Sequence, residues 1–289
     1  MSESIRSSAR CDLCGGIAVY YRFSSGHRLC LGCLGKVLEH SIRKYLKLFN
    51  VLKPGSRILI PITYYNTLAS LGLADISLLL KKGYGSEILV ALPDFVIINR
   101  APVRFNKLKL VKLNVKPKPC FEDAILAVHY DRLWSLKLAS LLGFNFILMP
   151  LTRTDLTLLT LEIPLRGYSE AWGILEDNVS VGIVNALAAV EAEAIVSYAT
   201  LSGYDVSLVN SCYSKLESAR VLRELRGLGP ELEFSSYKVT EILLRLANSR
   251  FMYRCPYCKG FSATNDICML CRLVNAHDLM VTITVSDST

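Results

Sequence analysis

Apolar positions along this chain alternate between helical and strand-like spacing. Leu34, Leu38, Ile42, Tyr45 and Phe49 fall on one side of a helical wheel, and Lys36, His40, Arg43 and Lys47 on another. That pattern predicts a two-faced helix over Leu34–Phe49. Asn50 to Ser56 reads as a turn, with Pro54 and Gly55 inside it. Arg57–Ile62 is an apolar run of strand length, and a helix over Asn66–Lys82 should stop at Gly83. Ile88–Leu92 predicts a second strand. Leu108–Val115, interleaved with lysines, predicts a third and more exposed one. Ala124–Leu142 reads as an amphipathic helix closed by Gly143, and Phe144–Met149 as a buried strand. Helices around Glu191–Leu201 and Lys215–Arg226 end near Gly203 and Gly227. Strands alternating with helices argue for an α/β fold with a parallel sheet covered on both sides.

Two cysteine arrays bracket this middle. Cys11 and Cys14 pair with Cys30 and Cys33, and Cys255 and Cys258 with Cys268 and Cys271. Paired Cys-x-x-Cys knuckles bring four thiolates around one tetrahedral Zn²⁺, so two zinc ribbons and two zinc ions are expected. The expected division is 1–50 for the first ribbon and its helix, 51–250 for the α/β domain, and 251–289 for the second ribbon. Disulfides are the competing reading. They concentrate in short secreted domains, whereas Met1–Arg10 is polar, with no apolar stretch to enter a translocon. The longest apolar stretch, Leu136–Leu151, is interrupted by Lys137, Asn145 and Pro150, short of the ~18 residues that span a membrane. A reducing, cytoplasmic setting without a membrane partner is expected.

With 289 residues and 52% apolar composition, the chain can bury a substantial core. Its formal charge of +8 is unevenly placed. Arg100–Lys118 holds seven Lys or Arg and no acid, and the first fifty residues are basic, while Leu151–Arg250 carries an acidic excess. Concentrated basic segments are the footprint of a polyanion, RNA or DNA. Lys36, Arg43 and Lys47, with Lys107, Lys109 and Lys112, are the candidate contacts. A merely solvated basic surface is the alternative.

Taken in order, these parts resemble the tRNA 2-thiolation enzymes of the TtuA type. The resemblance covers nearly the whole chain. It is most specific at Cys11-x-x-Cys-Gly-Gly-x-Ala-Val-Tyr-Tyr21, Leu29-Cys30, Ile42-Arg-Lys-Tyr45 and Asp266-Ile-Cys268-x-x-Cys271. It implies a Rossmann-like sheet of the pyrophosphate-loop ATPase type, flanked by the two ribbons. It also implies tRNA as partner. In that family a Ser-Gly-Gly-Lys-Asp-Ser loop after the first strand holds ATP, the target uridine is adenylated, and a sulfur donor displaces AMP.

At that loop this chain reads Thr63-Tyr64-Tyr65-Asn66-Thr67-Leu68. Glycines there let backbone N–H groups approach phosphate at a helix N-terminus. Tyr64 and Tyr65 would place bulky rings in the way, and Asn66 stands where the family has lysine. The family's second ATP-contacting motif aligns with Pro150–Thr157, in which only Asp155 survives. No ATP binding is expected here. The resemblance therefore points to a degenerate member, the non-catalytic second subunit of the cytoplasmic tRNA 2-thiolation complex. Such a subunit would pair with an intact catalytic paralogue, or with itself, in a pathway fed by a ubiquitin-like sulfur carrier.

Cys120 and Cys212 remain. By the same resemblance, Lys118-Pro119-Cys120 matches a segment that holds an iron–sulfur cluster or acts as a catalytic thiol, and Cys212 lies near the third such cysteine. The second ligand position is Asp123. With a thiolate missing, a cluster is disfavoured against two buried structural thiols. His27, His40, His129 and His277 show no metal-ligand spacing, and Glu191 and Glu193 read as a solvated helix face. Tyr20, Tyr21, Arg22 and Phe23 are either a base-stacking platform or the packing of a small ribbon. Two other functions stay open: an active sulfurtransferase using Cys120 and Cys212, and a stand-alone zinc-ribbon nucleic-acid-binding protein.

Overall fold

The computed structural model describes residues 9–80, 85–117, 121, 123–178, 182–208, 230–251 and 253–284. The chain opens with an antiparallel hairpin, β1 (Tyr20–Arg22) and β2 (His27–Leu29), which leads into α1 (Leu31–Leu48). Helix α1 starts earlier than its apolar spacing indicates, because Cys30 caps it and accepts the N–H of Cys33. Leu34, Leu38, Ile42 and Leu46 are its buried stripe.

Strand and helix then alternate through β3 (Arg57–Pro61), α2 (Thr67–Leu80), β4 (Glu87–Pro93), β5 (Val96–Arg100) and β6 (Leu110–Lys116). Next come α3 (Ala124–Leu142), β7 (Phe146–Thr152), α4 (Arg153–Arg166), the short α5 (Trp172–Leu175), β8 (Ile183–Leu187), α6 (Ala192–Leu201) and β9 (Asp205–Leu208). Helix α7 (Pro230–Arg250) precedes the second ribbon, built from β10 (Tyr253–Arg254), β11 (Phe261–Ser262) and α8 (Met269–Leu273). The described chain ends in β12 (Met280–Thr284). The helix expected over Lys215–Arg226 lies outside the described residues.

The central sheet has the order β12-β6-β4-β3-β7-β8, parallel throughout except for β12. Strands β3, β4, β7 and β8 are almost wholly apolar because both faces are covered. Helices α1, α2 and α6 pack together on one side; α3, α4 and α5 lie on the other, with α7 against α4. Met280–Thr284 returns from the second ribbon to pair with β6.

Local chemistry sets the boundaries. Asp123 caps α3 by accepting the N–H of Ile125 at 2.7 Å, and Gly143 ends it in the left-handed region, at φ 68°. Pro150 lies within β7 and has no N–H to donate. The β7–β8 register shifts between Met149 and Thr152, the bulge expected at a proline in a sheet. That irregularity brings Thr152 to the N-cap of α4, where it forms a capping box with Asp155.

Among the described residues no helix is long and apolar enough to cross a membrane.

Candidate functional site

Strand order in the parallel sheet reverses between β3 and β7. In open α/β sheets that switch point, at the carboxyl ends of the strands, is where ligands bind. The turn Thr63–Leu68 follows β3, and Thr152 and Asp155 follow β7, so both segments singled out in the sequence meet there.

The turn is closed on itself. Thr63 N–H donates to Ser70 Oγ at 3.1 Å, and Thr67 Oγ1 donates to the Thr63 carbonyl at 2.8 Å. Asp131, sent up from α3, accepts the Tyr64 N–H on Oδ1 at 3.0 Å and the Tyr65 N–H on Oδ2 at 2.9 Å. The Trp134 indole N–H also reaches Oδ1, at 3.0 Å. Burial pushes Asp131 up to about 7, while these three donors pull it back.

The Tyr64 ring does not stand over the turn as its bulk suggested. It is buried and meets Phe95 edge-on, with ring centroids 5.9 Å apart. Tyr65 instead turns its hydroxyl to Asp155 Oδ1 at 3.3 Å. The Asn66 amide donates to Asp155 Oδ2 at 2.7 Å and to the Pro150 carbonyl at 3.4 Å. Asp155 also accepts the Thr152 N–H at 2.9 Å, and burial pushes its carboxyl up to about 6.

An open groove of about 420 Å³ runs beside the turn. The turn residues Tyr64–Leu68 form one wall, and Val196, Val206 and Leu208 form the other. Among the described residues that line it, none is charged.

Asp123, offered above as a weak cluster ligand, is occupied as the α3 cap. Cys120 and Cys212 lie outside the described residues.

Both cysteine sets converge. Cys11, Cys14, Cys30 and Cys33 are close enough to hold one metal ion, with Cys14 exposed. In the second ribbon Cys255, Cys258, Cys268 and Cys271 are all buried. Two thiolates at ~2.3 Å from one tetrahedral ion stand ~3.8 Å apart. The sulfurs of Cys14 and Cys30 are 3.6 Å apart, those of Cys255 and Cys271 3.6 Å, and those of Cys258 and Cys268 3.7 Å. Thiols packed this closely cannot all ionise without a cation between them. Hydrogen bonding with Cys14 pushes Cys33 up to about 12, while the backbone N–H at Cys30 pulls Cys11 down to about 6.

His129, which no sequence spacing singled out, lies within metal-ligand range of Cys258, Cys268 and Cys271. It is buried, and desolvation pushes it down to about 3, so its ring is neutral. Glu191 also departs from expectation. It forms a nearly buried ion pair with Arg153, at 2.7 Å, rather than facing solvent.

The basic candidates divide. Lys36, Lys47, Lys107 and Lys112 are exposed. Arg43 pairs with Glu39, and Lys109 pairs with Glu87 at 2.5 Å. Lys109 first and Arg57 second hold Glu87 below the usual carboxylate range. The two segments are not brought together. Helix α1 packs beside β8, while Lys112 lies on β6, four strands away, a separation of roughly 20 Å at ~4.8 Å per strand.

No protein-family model matches this chain, and no curated protein matches it. Among solved structures, it is similar to the U34-tRNA thiolase NcsA from Methanococcus maripaludis, determined with its [4Fe-4S] cluster. The two share 18% identity over 91% of this chain and 94% of the other, with a TM-score of 0.68. That likeness establishes a shared α/β fold.

Proposed function

We propose that this protein acts in tRNA thiolation as a non-catalytic, tRNA-binding subunit that pairs with a catalytic paralogue. The fold shared with a U34-tRNA thiolase supports the pathway. The observation that carries the non-catalytic role is the Asp131 carboxyl, which accepts the N–H groups of both Tyr64 and Tyr65. Those are the donors a phosphate-binding turn must leave free. The lack of charge among the described residues of the groove and the engagement of Asn66 with Asp155 support the same reading.

Each four-cysteine set holds one structural zinc in this reading. The sulfur spacing suits thiolates sharing one ion, whereas the thiolates of a cubane cluster each bind a different iron. The eight cysteines would hold the two ions, and a closed four-thiolate shell supplies folding energy rather than catalysis. Lys36, Lys47, Lys107 and Lys112 then contact the tRNA backbone.

The test is affinity purification from the native cell, read for both RNA and protein. Retention of tRNA together with a paralogue carrying an intact pyrophosphate loop is expected. Recovery of neither overturns the reading.

A further inference from the structure

The second ribbon is built into the core. Gly173 of α5 lies so close to it that an added Cβ would meet Phe261 N at 2.3 Å and Gly260 Cα at 2.9 Å. Glu170, itself buried, accepts the backbone N–H groups of Ala263 and Met269, each at 2.5 Å. It thereby pins the ribbon on both sides of the loop that leads to Cys268.

Helix α3 then sends two side chains to the thiols. Arg132 is 1% exposed and donates from Nε to the Cys258 carbonyl at 3.2 Å, while its Nη1 and Nη2 have no hydrogen-bond partner. A buried guanidinium is costly unless an anion lies beside it. Four thiolates around one divalent ion carry a net charge of about −2. Of the anions near Arg132, Cys258 acts on it most strongly, ahead of Glu176, which pairs with Arg254, and Asp177, which Tyr45 and the Asn185 N–H engage.

His129 Nε2 stands 3.2 Å from Cys271 Sγ. A nitrogen and a sulfur bound to one tetrahedral ion, at ~2.05 and ~2.3 Å, would stand ~3.6 Å apart. The observed contact is shorter, and suits an N–H donating to sulfur. Cys255 Sγ, at 3.6 Å from Cys271 Sγ, has the spacing of a co-ligand instead.

We propose that His129 and Arg132 are positioning residues of the C-terminal metal centre. His129 donates a hydrogen bond to the Cys271 thiolate, and Arg132 supplies the counter-charge of the four-thiolate shell. Both interactions draw electron density from sulfur, so core helix α3 governs how firmly a divalent ion is held and how inert its ligands are. In the N-terminal knuckle Arg10, which is exposed, donates to the Gly15 carbonyl at 3.2 Å, and among the described residues no histidine or arginine side chain donates to the sulfurs of that set. The two centres should therefore differ in lability. This inference rests on the reading that each set holds one divalent ion.

The experiment is zinc transfer from the full-length holoprotein to a chromophoric chelator. Alkylation of the freed cysteines, read by peptide mass spectrometry, assigns each release to its site. The N-terminal set is expected to give up its ion first. His129→Phe and Arg132→Met should speed release from the C-terminal set about 10–100-fold and leave the N-terminal rate unchanged. Wild-type release at equal rates from both sites, or variants that release at the wild-type rate, overturns the proposal.

Should those variants not fold, the cobalt-loaded wild type supplies a second measurement. Its visible spectrum should report four-thiolate coordination only. A nitrogen-ligand contribution overturns the hydrogen-bond role. A wild type that binds no ion at the C-terminal set removes the metal reading itself, and this inference with it. Two firmly bound ions with indifferent variants remove the inference alone.

Discussion

The Asn66 amide donates to the Asp155 carboxyl at 2.7 Å, joining the turn after β3 to the first turn of α4 across the switch point of the sheet. A phosphate site at this place needs a cation and free N–H groups from one side and a polar motif from the other. Here the two sides are spent on each other. Tyr65 adds a second strut to the same carboxyl, and Asp131 takes the N–H groups beneath. The turn is therefore rigid and satisfied without a ligand.

ATP with magnesium, titrated by calorimetry, is expected to give no measurable heat with the wild type. The triple variant Tyr64→Gly, Tyr65→Gly, Asn66→Lys should also fail to bind, because Asp131 still holds the N–H groups at positions 64 and 65. Micromolar binding by the wild type, lost on changing this turn, would overturn the non-catalytic reading.

Asp131→Ala removes the acceptor of three N–H donors, two from the backbone and one from the Trp134 indole. Each buried donor that loses its acceptor costs ~1–3 kcal/mol, partly offset by removing a buried carboxyl, so a net loss of about 3 kcal/mol is expected. Urea unfolding measures it. A variant as stable as the wild type would show that Asp131 does not hold the turn.

Much of this was legible in the sequence where one segment carries its own signals. The helix expected over Ala124–Leu142 has those bounds, because Asp123 caps it and Gly143 ends it, but it is not amphipathic: Ala127 to Ser135 are all buried. Strands β3 and β4 were legible from their unbroken apolar runs. Helix α4 was missed although Thr152 and Asp155 spell a capping box, because Thr154, Thr157 and Thr160 face its buried sides and blur the periodicity. What the sequence could not reveal is contact between distant segments. His129 meets Cys271, Arg153 meets Glu191, and β12 returns to β6. The Tyr64 ring turned inward for a similar reason, since Phe95 offers it a packing partner.

Metal analysis should find two zinc ions per chain, and Cys14→Ser and Cys258→Ser should each remove one. Their effects on stability should differ. Structural zinc supplies ~10–16 kcal/mol of binding free energy in isolated fingers. The N-terminal set holds an exposed Cys14, while the C-terminal set is buried against α3 and α5. Cys258→Ser should thus lower the melting temperature of the whole chain, and Cys14→Ser chiefly loosen the first ribbon in hydrogen exchange. A fully metal-free protein that stays folded at both ends would sink the assignment.

Burial raises the folded-state values of Asp131 and Asp155 to about 7 and about 6, against ~3.9 for an unperturbed aspartate. Between these limits the folded chain holds protons that the unfolded chain has lost. Their contribution is therefore fully present below pH ~4 and is lost as pH rises through 6 to 7. Asp155→Asn imitates the protonated form and can keep an oxygen toward Asn66 and Thr152. It should flatten the fall in stability between pH ~4 and ~6 while leaving the Asp131 share, which extends to about 7. An unchanged pH profile in urea melts would show that Asp155 is already ionised in the folded state.

If tRNA lies along the basic segments, its affinity should fall with salt, and removing one exposed charge should lower the log–log slope by about 0.7–0.9. Lys36→Ala, Lys47→Ala and Lys112→Ala are expected to do so. Lys109→Ala should do less, because its charge is already met by Glu87 at 2.5 Å. Arg43→Ala should likewise have a smaller effect, since Glu39 holds that guanidinium. The two segments sit four strands apart along the sheet, so only an extended polyanion can reach both. Pairing Lys47→Ala with Lys112→Ala should then weaken a full-length tRNA nearly additively, whereas an oligonucleotide too short to span roughly 20 Å should feel one change at a time. Filter binding across a salt series reads both. Undetectable tRNA affinity, alone and with the paralogue, would reduce these lysines to a solvated face.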